Sequence, residues 1–437
     1  MKFERYLIML KTYFDLYKES ETMITSILRV LLTRSFKPLM FTSKVDYEME
    51  FDSNDLGIYV HIPFCKTLCS FCPYNKIKYD ESMIKPYKAA LIDEINMVGR
   101  LYEGKKAITS VYFGGGSPAL MLNELGEIIT ALKKNFSISS NIGIELHPSD
   151  ITKENLFKIK SIGFDMVSIG IQSFQLECLN TLGREYIDGA EKVRLVKAAG
   201  FNTIDVDLIF GIANQGEENL RKDFLMAFEL GATQVSTYPF IDFSYANNTR
   251  KPLGKQEKKQ LLNCLEKASV EISCDRTAVW TFGKKNTTRY SSITRDAFIG
   301  FGPSATSLTK KFLKLNTFSV EEYIKCINNG KMPTAMTMKF NLRNRALYWL
   351  FWNAYTLKFN NDEFKKLFGV NLEKIFKIEL RIGSALGLLN KVKNNYNLTK
   401  KGTYFYHLLE QKYTNRYIDK SWREARENPW PKEIRLY

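Results

Sequence analysis

The sequence predicts an α/β protein built on a parallel sheet, with helical segments before and after it. Six short runs rich in β-branched and aromatic residues alternate with longer stretches whose apolar residues recur at helical spacing. Strict alternation of this kind indicates parallel strands joined by crossover helices, and it is compatible with a partial barrel and with an open sheet. The predicted strands are 57–61, 110–113, 142–146, 166–169, 203–208 and 234–238, and the helices between them are 82–101, 122–135, 152–161, 189–199 and 218–230.

The segments on either side of this alternating region complete the predicted organisation. Residues 1–56 carry apolar residues at roughly helical spacing and predict an N-terminal helical extension; residues 57–310 form the β/α core. Residues 311–437 predict a C-terminal helical domain resembling a winged helix, which often binds DNA; packing beside the core is the alternative. Its predicted elements are helices at 343–355, 361–368 and 372–385, a hairpin around 393–396 and a last helix from residue 400.

Composition restricts the class of protein. Hydrophobic residues make up 45% of the 437 residues, enough for a sizeable core, and no run approaches the roughly 20 apolar residues of a membrane span. The net charge of +16 is spread along the chain and predicts a solvated surface, with an anionic substrate as the alternative. Seven cysteines, an odd number in a long chain, argue against a secreted disulfide framework and favour a cytoplasmic location.

A cysteine cluster directly after the first predicted strand is the strongest chemical signal. Cys65, Cys69 and Cys72 stand at C-x3-C-x2-C spacing. Structural zinc sites take four protein ligands, whereas soft thiolates at this density favour an iron–sulfur cluster. Three ligands on a four-iron cluster leave one iron open to a small molecule, unlike the four cysteines of most electron-transfer clusters. A zinc site completed by a distant residue such as Cys178 is the alternative.

This cluster, with the sequence YVHIPFC over residues 59–65, resembles the radical S-adenosylmethionine (SAM) superfamily. Over about residues 50–410 the chain resembles the oxygen-independent coproporphyrinogen III oxidase (HemN/HemW-like) family, which also contains heme chaperones and heme-opening methyltransferases. The resemblance implies a partial (β/α)6 barrel closed by the winged-helix-like unit. It also implies a [4Fe–4S] cluster on Cys65, Cys69 and Cys72, and one or two SAM molecules. We expect His61 to pack and to orient the cluster loop.

Glycines and polar residues at strand ends are the remaining cofactor candidates. The run YFGGGSP over residues 112–118 follows the second strand, and its glycines allow close backbone approach to a ligand. Polar residues also stand at or beyond the carboxyl ends of later strands, the face that carries the active site in β/α barrels, although each alone is compatible with a helix cap or a surface charge. The resemblance implies SAM contacts from Tyr59, Phe71, Gly115, Gly116, Ser117, Glu145, Gln172, Arg184, Asp207, Pro239 and Thr306.

The resemblance further implies that SAM is cleaved to methionine and a 5′-deoxyadenosyl radical, which abstracts hydrogen from a tetrapyrrole or a similar large substrate. Flavodoxin or ferredoxin would supply the electron, and the basic charge suits porphyrin propionates. We expect a monomer that binds no nucleic acid.

Two departures from the family pattern leave the branch open. Tyr74 stands where the oxidase carries a fourth cysteine, and 64 residues precede Cys65, whereas heme chaperones begin close to their cluster. The hypotheses are therefore a radical oxidoreductase similar to coproporphyrinogen dehydrogenase, a radical methyltransferase using a second SAM, and a heme chaperone that binds heme without turnover.

Overall fold

A 14-stranded mixed sheet runs through the protein. The computed structural model describes residues 39–43, 49–51, 55–246, 248, 250–291 and 296–436. The strands are β1 (Leu39–Thr42), β2 (Leu56–Ile62), β3 (Phe64–Cys65), β4 (Ile77–Lys78), β5 (Lys106–Ile108), β6 (Ser110–Gly115), β7 (Phe136–Ile138), β8 (Ile142–Leu146), β9 (Met166–Gln172), β10 (Thr203–Phe210), β11 (Gln234–Pro239), β12 (Asp275–Arg276), β13 (Thr281–Gly283), β14 (Ala297–Phe301), β15 (Thr306–Leu308), β16 (Phe312–Asn316), β17 (Thr334–Lys339), β18 (Lys358–Asn360), β19 (Leu389–Val392), β20 (Asn395–Leu398) and β21 (Glu433–Leu436).

Helices connect the parallel strands and continue into the C-terminal part of the chain. Local signals set their ends: Thr152 accepts a hydrogen bond from the Asn155 N–H at the start of the helix after β8, and that helix stops at Gly163 in a left-handed conformation. The helices are α1 (Glu81–Gly99), α2 (Leu125–Asn135), α3 (Lys153–Ile162), α4 (Leu176–Thr181), α5 (Gly189–Ala199), α6 (Glu217–Leu230), α7 (Lys255–Glu271), α8 (Val320–Asn328), α9 (Leu342–Tyr355), α10 (Asn361–Phe368), α11 (Leu372–Ala385), α12 (Lys400–Tyr413) and α13 (Asp419–Glu427).

The six predicted strands are confirmed as β2, β6, β8, β9, β10 and β11. They lie side by side in this chain order, and each neighbouring pair is parallel. Apolar side chains such as Ile58, Val111 and Ile144 are fully or almost fully buried between the sheet and the crossover helices, which matches the behaviour of parallel sheets covered on both faces. All six carboxyl ends therefore meet at one edge, where the predicted site residues are expected.

A seventh parallel strand, β14, lies outside the predicted alternation. It pairs with β2 on the side away from β6, with Ala297 opposite Leu56. Antiparallel strands β15, β16 and β17 then extend the sheet, followed by β1 and β21. The strand order runs from β12 to β21, so in the described part of the chain the parallel strands form an open, partial barrel.

The predicted N-terminal helical extension falls largely outside the described residues. Its described part includes Leu39–Thr42, which form strand β1, so the helical prediction is wrong for these four residues. Leu39 and Phe41 are buried while Met40 is exposed, because a strand between β17 and β21 alternates its faces. The sheet also continues past the predicted boundary at residue 310, through β16 and β17; the domain limits stay predictions.

The C-terminal helices and hairpin are confirmed. Helices α9, α10 and α11 pack around a core of Trp349, Phe364 and Phe376, and β19 and β20 form the predicted hairpin. None of the described helices has both the length and the apolar character to cross a membrane.

Candidate active site

The cluster loop, residues 65–77, leaves the carboxyl end of the first parallel strand and returns beside it. Strands β3 and β4 close its base, with Phe64 opposite Ile77. The Tyr79 N–H donates to the carbonyl of Cys65 at 2.8 Å, and the Cys72 N–H donates to that of Cys69 at 3.4 Å. All three cysteines are free and half-buried. The loop thus holds the predicted thiols on a short, closed segment at the active-site edge of the sheet.

The environment of the thiols fits a four-iron cluster better than a single metal ion. Burial, followed by the charges of Cys72 and Cys69, raises the pKa of Cys65 to about 12, so the three thiols are close enough to act on one another. Among the described residues, however, no group of three or more Cys, His, Asp or Glu side chains converges on a position for one ion. A cubane binds each cysteine through a different iron, which accommodates thiols that face one another without meeting at one point.

The predicted glycine run packs against the base of the cluster loop. Gly115 has φ +107°, and a Cβ there would lie 2.3 Å from the ring of His61; a Cβ on Gly116 would lie 2.4 Å from the carbonyl oxygen of Phe64. The Ser117 N–H donates to that same carbonyl at 2.7 Å. Only glycine permits this approach, so the run and the loop form one unit.

Asp150, which the sequence analysis missed, joins this unit to the loop after β8. It is 5% exposed, and it accepts hydrogen bonds from the Ser117 hydroxyl and, at 2.9 Å, from Lys66 Nζ in the cluster loop. The only sequence signal was its position just beyond a predicted strand. Because the hydroxyl of Ser117 is engaged by Asp150, this carboxylate positions a residue that was predicted to contact SAM.

His61 orients the cluster loop, as its sequence position suggested. Its Nδ1 lies 3.0 Å from the Tyr59 hydroxyl and its Nε2 lies 2.8 Å from the carbonyl oxygen of Asn75. Because a carbonyl only accepts, Nε2 carries the proton and Nδ1 accepts from Tyr59. Burial lowers the pKa of His61 to about 4, so the imidazole is neutral at physiological pH and acts as a hydrogen-bonding link.

Half-buried carboxylates from β8 and β10 face the same space. Glu145 Oε2 accepts from the Gly115 N–H at 3.1 Å, and burial raises the pKa of Glu145 to about 7. Asp207 accepts from the Ser168 hydroxyl at 2.9 Å; its pKa is raised by burial and then by the charges of Asp205 and Glu145. Asp205 was not among the predicted residues. A buried acidic group of this kind favours a cationic or hydroxyl-bearing ligand.

Arg184 is a cation at this site, and part of its hydrogen-bonding capacity is unused. It is 9% exposed, and its Nη2 is buried without a hydrogen-bond partner among the described residues. Burial lowers the pKa of Arg184, while the nearby Cys69, Cys72 and Asp207 oppose that shift. A buried guanidinium nitrogen without a partner is costly, so the position fits an anionic group of a ligand.

Gln172 meets Arg184 above the small residue Gly170. A Cβ on Gly170 would lie 2.9 Å from Gln172 Nε2 and 3.8 Å from Arg184 Nη2. Gln172 adopts a φ of +70°, a conformation that non-glycine residues rarely occupy and that clusters at functional sites.

The other predicted residues lie around this group. Phe71 packs on a buried apolar cluster formed by Cys178, Leu182, Ile209, Ile212 and Phe240. Pro239 ends β11, and the backbone of Thr306 crosses close above Gly300, which lies opposite Tyr59 in the sheet. The predicted SAM contacts of Phe71, Pro239 and Thr306 stay predictions.

Two exposed tyrosine rings lie near Asp207. Tyr74 and Tyr238 are 48% and 41% exposed, yet burial is the main cause that raises the pKa of each, and Asp207 contributes to both. Trp422 packs behind Tyr74 with ring centroids 6.1 Å apart, and Trp280 packs behind Tyr238 at 6.5 Å.

Comparison with known proteins relates this arrangement to a known protein family. Residues 59–227 match the sequence model of the Radical SAM superfamily. The chain therefore contains a radical SAM domain. Its similarity to known members of the superfamily extends well beyond the matched segment, as two curated relatives and one solved structure show.

The relatives of this radical SAM protein are HemN/HemW-like. Heme chaperone HemW of Bacillus subtilis is 24% identical over 362 residues, covering 79% of this chain and 95% of that protein. Oxygen-independent coproporphyrinogen III oxidase of Helicobacter pylori is 24% identical over 385 residues, covering 79% and 83%. The structure of coproporphyrinogen III oxidase (HemN) from Escherichia coli matches with a TM-score of 0.73 at 19% identity, covering 86% and 95%, and shows the same fold.

The cofactors that a radical SAM domain implies are a [4Fe–4S] cluster and SAM. The three thiols without a fourth cysteine in their loop and the unpartnered nitrogen of Arg184 are compatible with that pair. The named relatives include a chaperone and an oxidase, so the finer activity depends on the site itself.

Proposed function

We propose that the protein is an enzyme whose cluster and SAM, when bound, supply a 5′-deoxyadenosyl radical that abstracts hydrogen from a tetrapyrrole. One observation carries the proposal: three thiols share a buried space with an unpartnered guanidinium nitrogen of Arg184 and with the carboxylates of Glu145 and Asp207. A site built only to hold a cluster has no need of these groups.

We assign the protein groups to parts of the cofactors by their chemistry. Cys65, Cys69 and Cys72 would each bind one iron and leave the fourth for the amino acid end of SAM. Arg184 would bind the SAM carboxylate, because a guanidinium forms paired hydrogen bonds with carboxylates. Glu145 would face the positive charge of SAM, since a nearby cation lowers the pKa of a buried carboxyl group and favours its ionised form.

The glycine run and the apolar cover would complete the SAM site. Gly115 and Gly116 bring backbone close to the cluster loop without side-chain obstruction, where the amino group of SAM would be held. Asp207 on the neighbouring strand would accept from the ribose hydroxyls. Phe71, packed on its buried apolar cluster, would help to exclude water, which protects a reactive species from side reactions.

Exposed aromatic side chains near this site support a large flat substrate. The accessible faces of Tyr74 and Tyr238, each with a tryptophan packed on it, offer aromatic surfaces for stacking. The names of the relatives refer to heme and coproporphyrinogen III, both tetrapyrroles. The net charge of +16 favours association with their carboxylates.

A heme chaperone is the second candidate. It is supported by the similarity to HemW, which spans 95% of that protein, and by Tyr74 in place of a further cysteine after Cys72. A chaperone would bind heme stoichiometrically without substrate-dependent cleavage of SAM.

Anaerobic reconstitution with iron and sulfide, followed by dithionite and SAM, tests these alternatives. Reactions would contain coproporphyrinogen III, heme or neither, with 5′-deoxyadenosine, methionine and S-adenosylhomocysteine quantified. We expect 5′-deoxyadenosine and methionine that increase with a tetrapyrrole. S-Adenosylhomocysteine as a second product would instead support a methyltransferase, and heme binding without cleavage would support the chaperone.

Cysteine variants give this experiment its control. Cys65→Ser should remove both the cluster and the cleavage of SAM. Cys326→Ser replaces another half-buried cysteine, whose Sγ donates to the carbonyls of Lys331 and Met332, and should retain both. Wild-type protein that holds no iron and sulfide, or equal loss in the two variants, would refute the proposal.

A further inference from the structure

We propose that Arg426, on the C-terminal helix α13, is a positioning residue for the cluster: it holds the backbone that follows Cys72 and makes the cluster easier to reduce. This inference rests on the proposed function, since it requires a cluster bound through Cys72. It concerns a residue more than 350 positions away from that cysteine in sequence, which the cysteine motif does not reveal.

Direct contacts join Arg426 to the cluster loop. Arg426 Nη2 donates to the carbonyl oxygen of Pro73, the residue after Cys72, at 2.8 Å. The Tyr245 hydroxyl donates to the same oxygen at 3.2 Å. The guanidinium carbon lies 4.7 Å from the centre of the Tyr245 ring and 5.6 Å from that of Phe318. Two aromatic rings therefore fix the plane of the guanidinium that binds Pro73.

The next two residues of the loop are also held by distant segments. The ring of Tyr74 packs on Trp422, which lies one helical turn before Arg426 on the same face of α13. The side-chain Nδ2 of Asn75 donates to the backbone carbonyl oxygen of Phe318 at 2.7 Å. Three consecutive residues after the third cysteine thus have fixed partners, and Arg426 and Trp422 are two of them.

Helix α13 is itself anchored beside the loop. Asp419, at its first residue, accepts from the Ser244 N–H at 2.6 Å, next to Tyr245. The helix is therefore placed by the segment that supplies the second donor to Pro73, and it is not a loose terminal extension.

The charge of Arg426 also acts on the cluster. Burial lowers its pKa, whereas Tyr245 and Cys72 oppose that shift, so the guanidinium is within electrostatic range of the thiol. Net charge and hydrogen bonding set the reduction potential of iron–sulfur clusters. A fixed cation stabilises the reduced cluster, which is the more negative form, and therefore facilitates its reduction.

Three variants distinguish the positioning role of Arg426 from the effect of its positive charge. Arg426→Gln removes both effects, and Arg426→Lys keeps the charge but loses the planar group fixed between two rings. Arg423→Gln is the matched control: it removes a cation from the same helix, one that donates to the Ser244 hydroxyl at 3.1 Å on the surface. Each protein would be reconstituted anaerobically, and its reduction potential and its rate of iron release to a ferrous chelator would be measured. Hydrogen exchange of amides 74–77 would be followed in the apo-proteins.

We expect Arg426→Gln to be harder to reduce and to release iron several-fold faster than wild type. Arg426→Lys should keep a potential near that of wild type but release iron faster, and Arg423→Gln should match wild type in both. Amides 74–77 should exchange faster in both Arg426 variants. A merely structural role would lower overall stability without shifting the potential, so equal potentials and release rates in Arg426→Gln and Arg423→Gln would overturn the inference.

The apo-protein measurement keeps this test independent of cluster assembly. If Arg426→Gln holds no cluster, the outcome is decided by amide exchange at residues 74–77 and by the Arg426→Lys variant. Exchange at these amides that is as slow in the variants as in the wild type would overturn the inference. Wild-type protein without a cluster would instead refute the proposed function.

Discussion

Replacing Gly115 by alanine should destabilise the protein strongly, because the alanine would incur both backbone strain and a steric clash with His61. Its φ of +107° is a backbone conformation that alanine rarely adopts, and the new methyl group would lie 2.3 Å from Cε1 and 2.5 Å from Nδ1 of His61. The ring has little freedom to move, since Tyr59 and Asn75 hydrogen-bond its two nitrogens.

The magnitude follows from these two costs. A residue held in a sparsely populated backbone region costs about 1–3 kcal/mol. Moving the His61 ring would leave a buried hydrogen-bonding group without its partner, which costs about 1–3 kcal/mol. We therefore expect the free energy of unfolding to fall by about 2–6 kcal/mol. Because His61 binds the carbonyl of Asn75 in the cluster loop, the variant should also bind the cluster less tightly.

Urea denaturation of the apo-protein, followed by circular dichroism, measures this change. Gly104→Ala is the matched control, because Gly104 also has positive φ, +76°, while a Cβ there meets nothing within 4 Å. That variant should incur only the backbone cost. If Gly115→Ala loses no more stability than Gly104→Ala, the steric argument about His61 is wrong.

Further changes test other parts of the structure. Burial raises the pKa of Glu94 from 4.5 to about 7, so between these values the folded protein binds more protons than the unfolded chain, and stability falls as pH rises. The loss in the free energy of unfolding should reach about 3 kcal/mol, at about 1.4 kcal/mol per pKa unit. Urea unfolding across this pH range should show a flatter pH dependence of stability for Glu94→Gln than for the wild type. An unchanged pH dependence would contradict this. Asp150→Asn weakens the hydrogen bonds from Ser117 and Lys66, and we expect about 1–2 kcal/mol less stability and faster proteolysis of the cluster loop, with wild-type proteolysis as the contrary result. Gly126→Ala, inside α2 with open space around its Cβ position, should raise the melting temperature, corresponding to about 0.5–1 kcal/mol; a lower melting temperature would count against the helix assignment.

Local pattern was sufficient for the parallel core and for the cysteine cluster. Strands buried on both faces are continuous apolar runs, and amphipathic helices repeat their apolar residues at every turn, so both signals are contained within about ten to twenty residues. The three cysteines are likewise close in sequence, and their spacing was readable without knowledge of the fold. The strand-end positions of Glu145 and Asp207 followed from the same alternation, because parallel strands place their carboxyl ends at one edge.

Contacts between distant segments were needed for the rest. β14 is short, and it becomes a strand by pairing with β2. Leu39–Thr42 is a strand because β17 and β21 lie on either side of it. Asp150 and Arg426 are ordinary charged residues in sequence; they acquire a role because folding buries one between Ser117 and Lys66 and brings the other onto the carbonyl of Pro73. Hydrogen bonds and strand pairing act over a few ångströms in space regardless of separation along the chain, so such roles are properties of the folded arrangement.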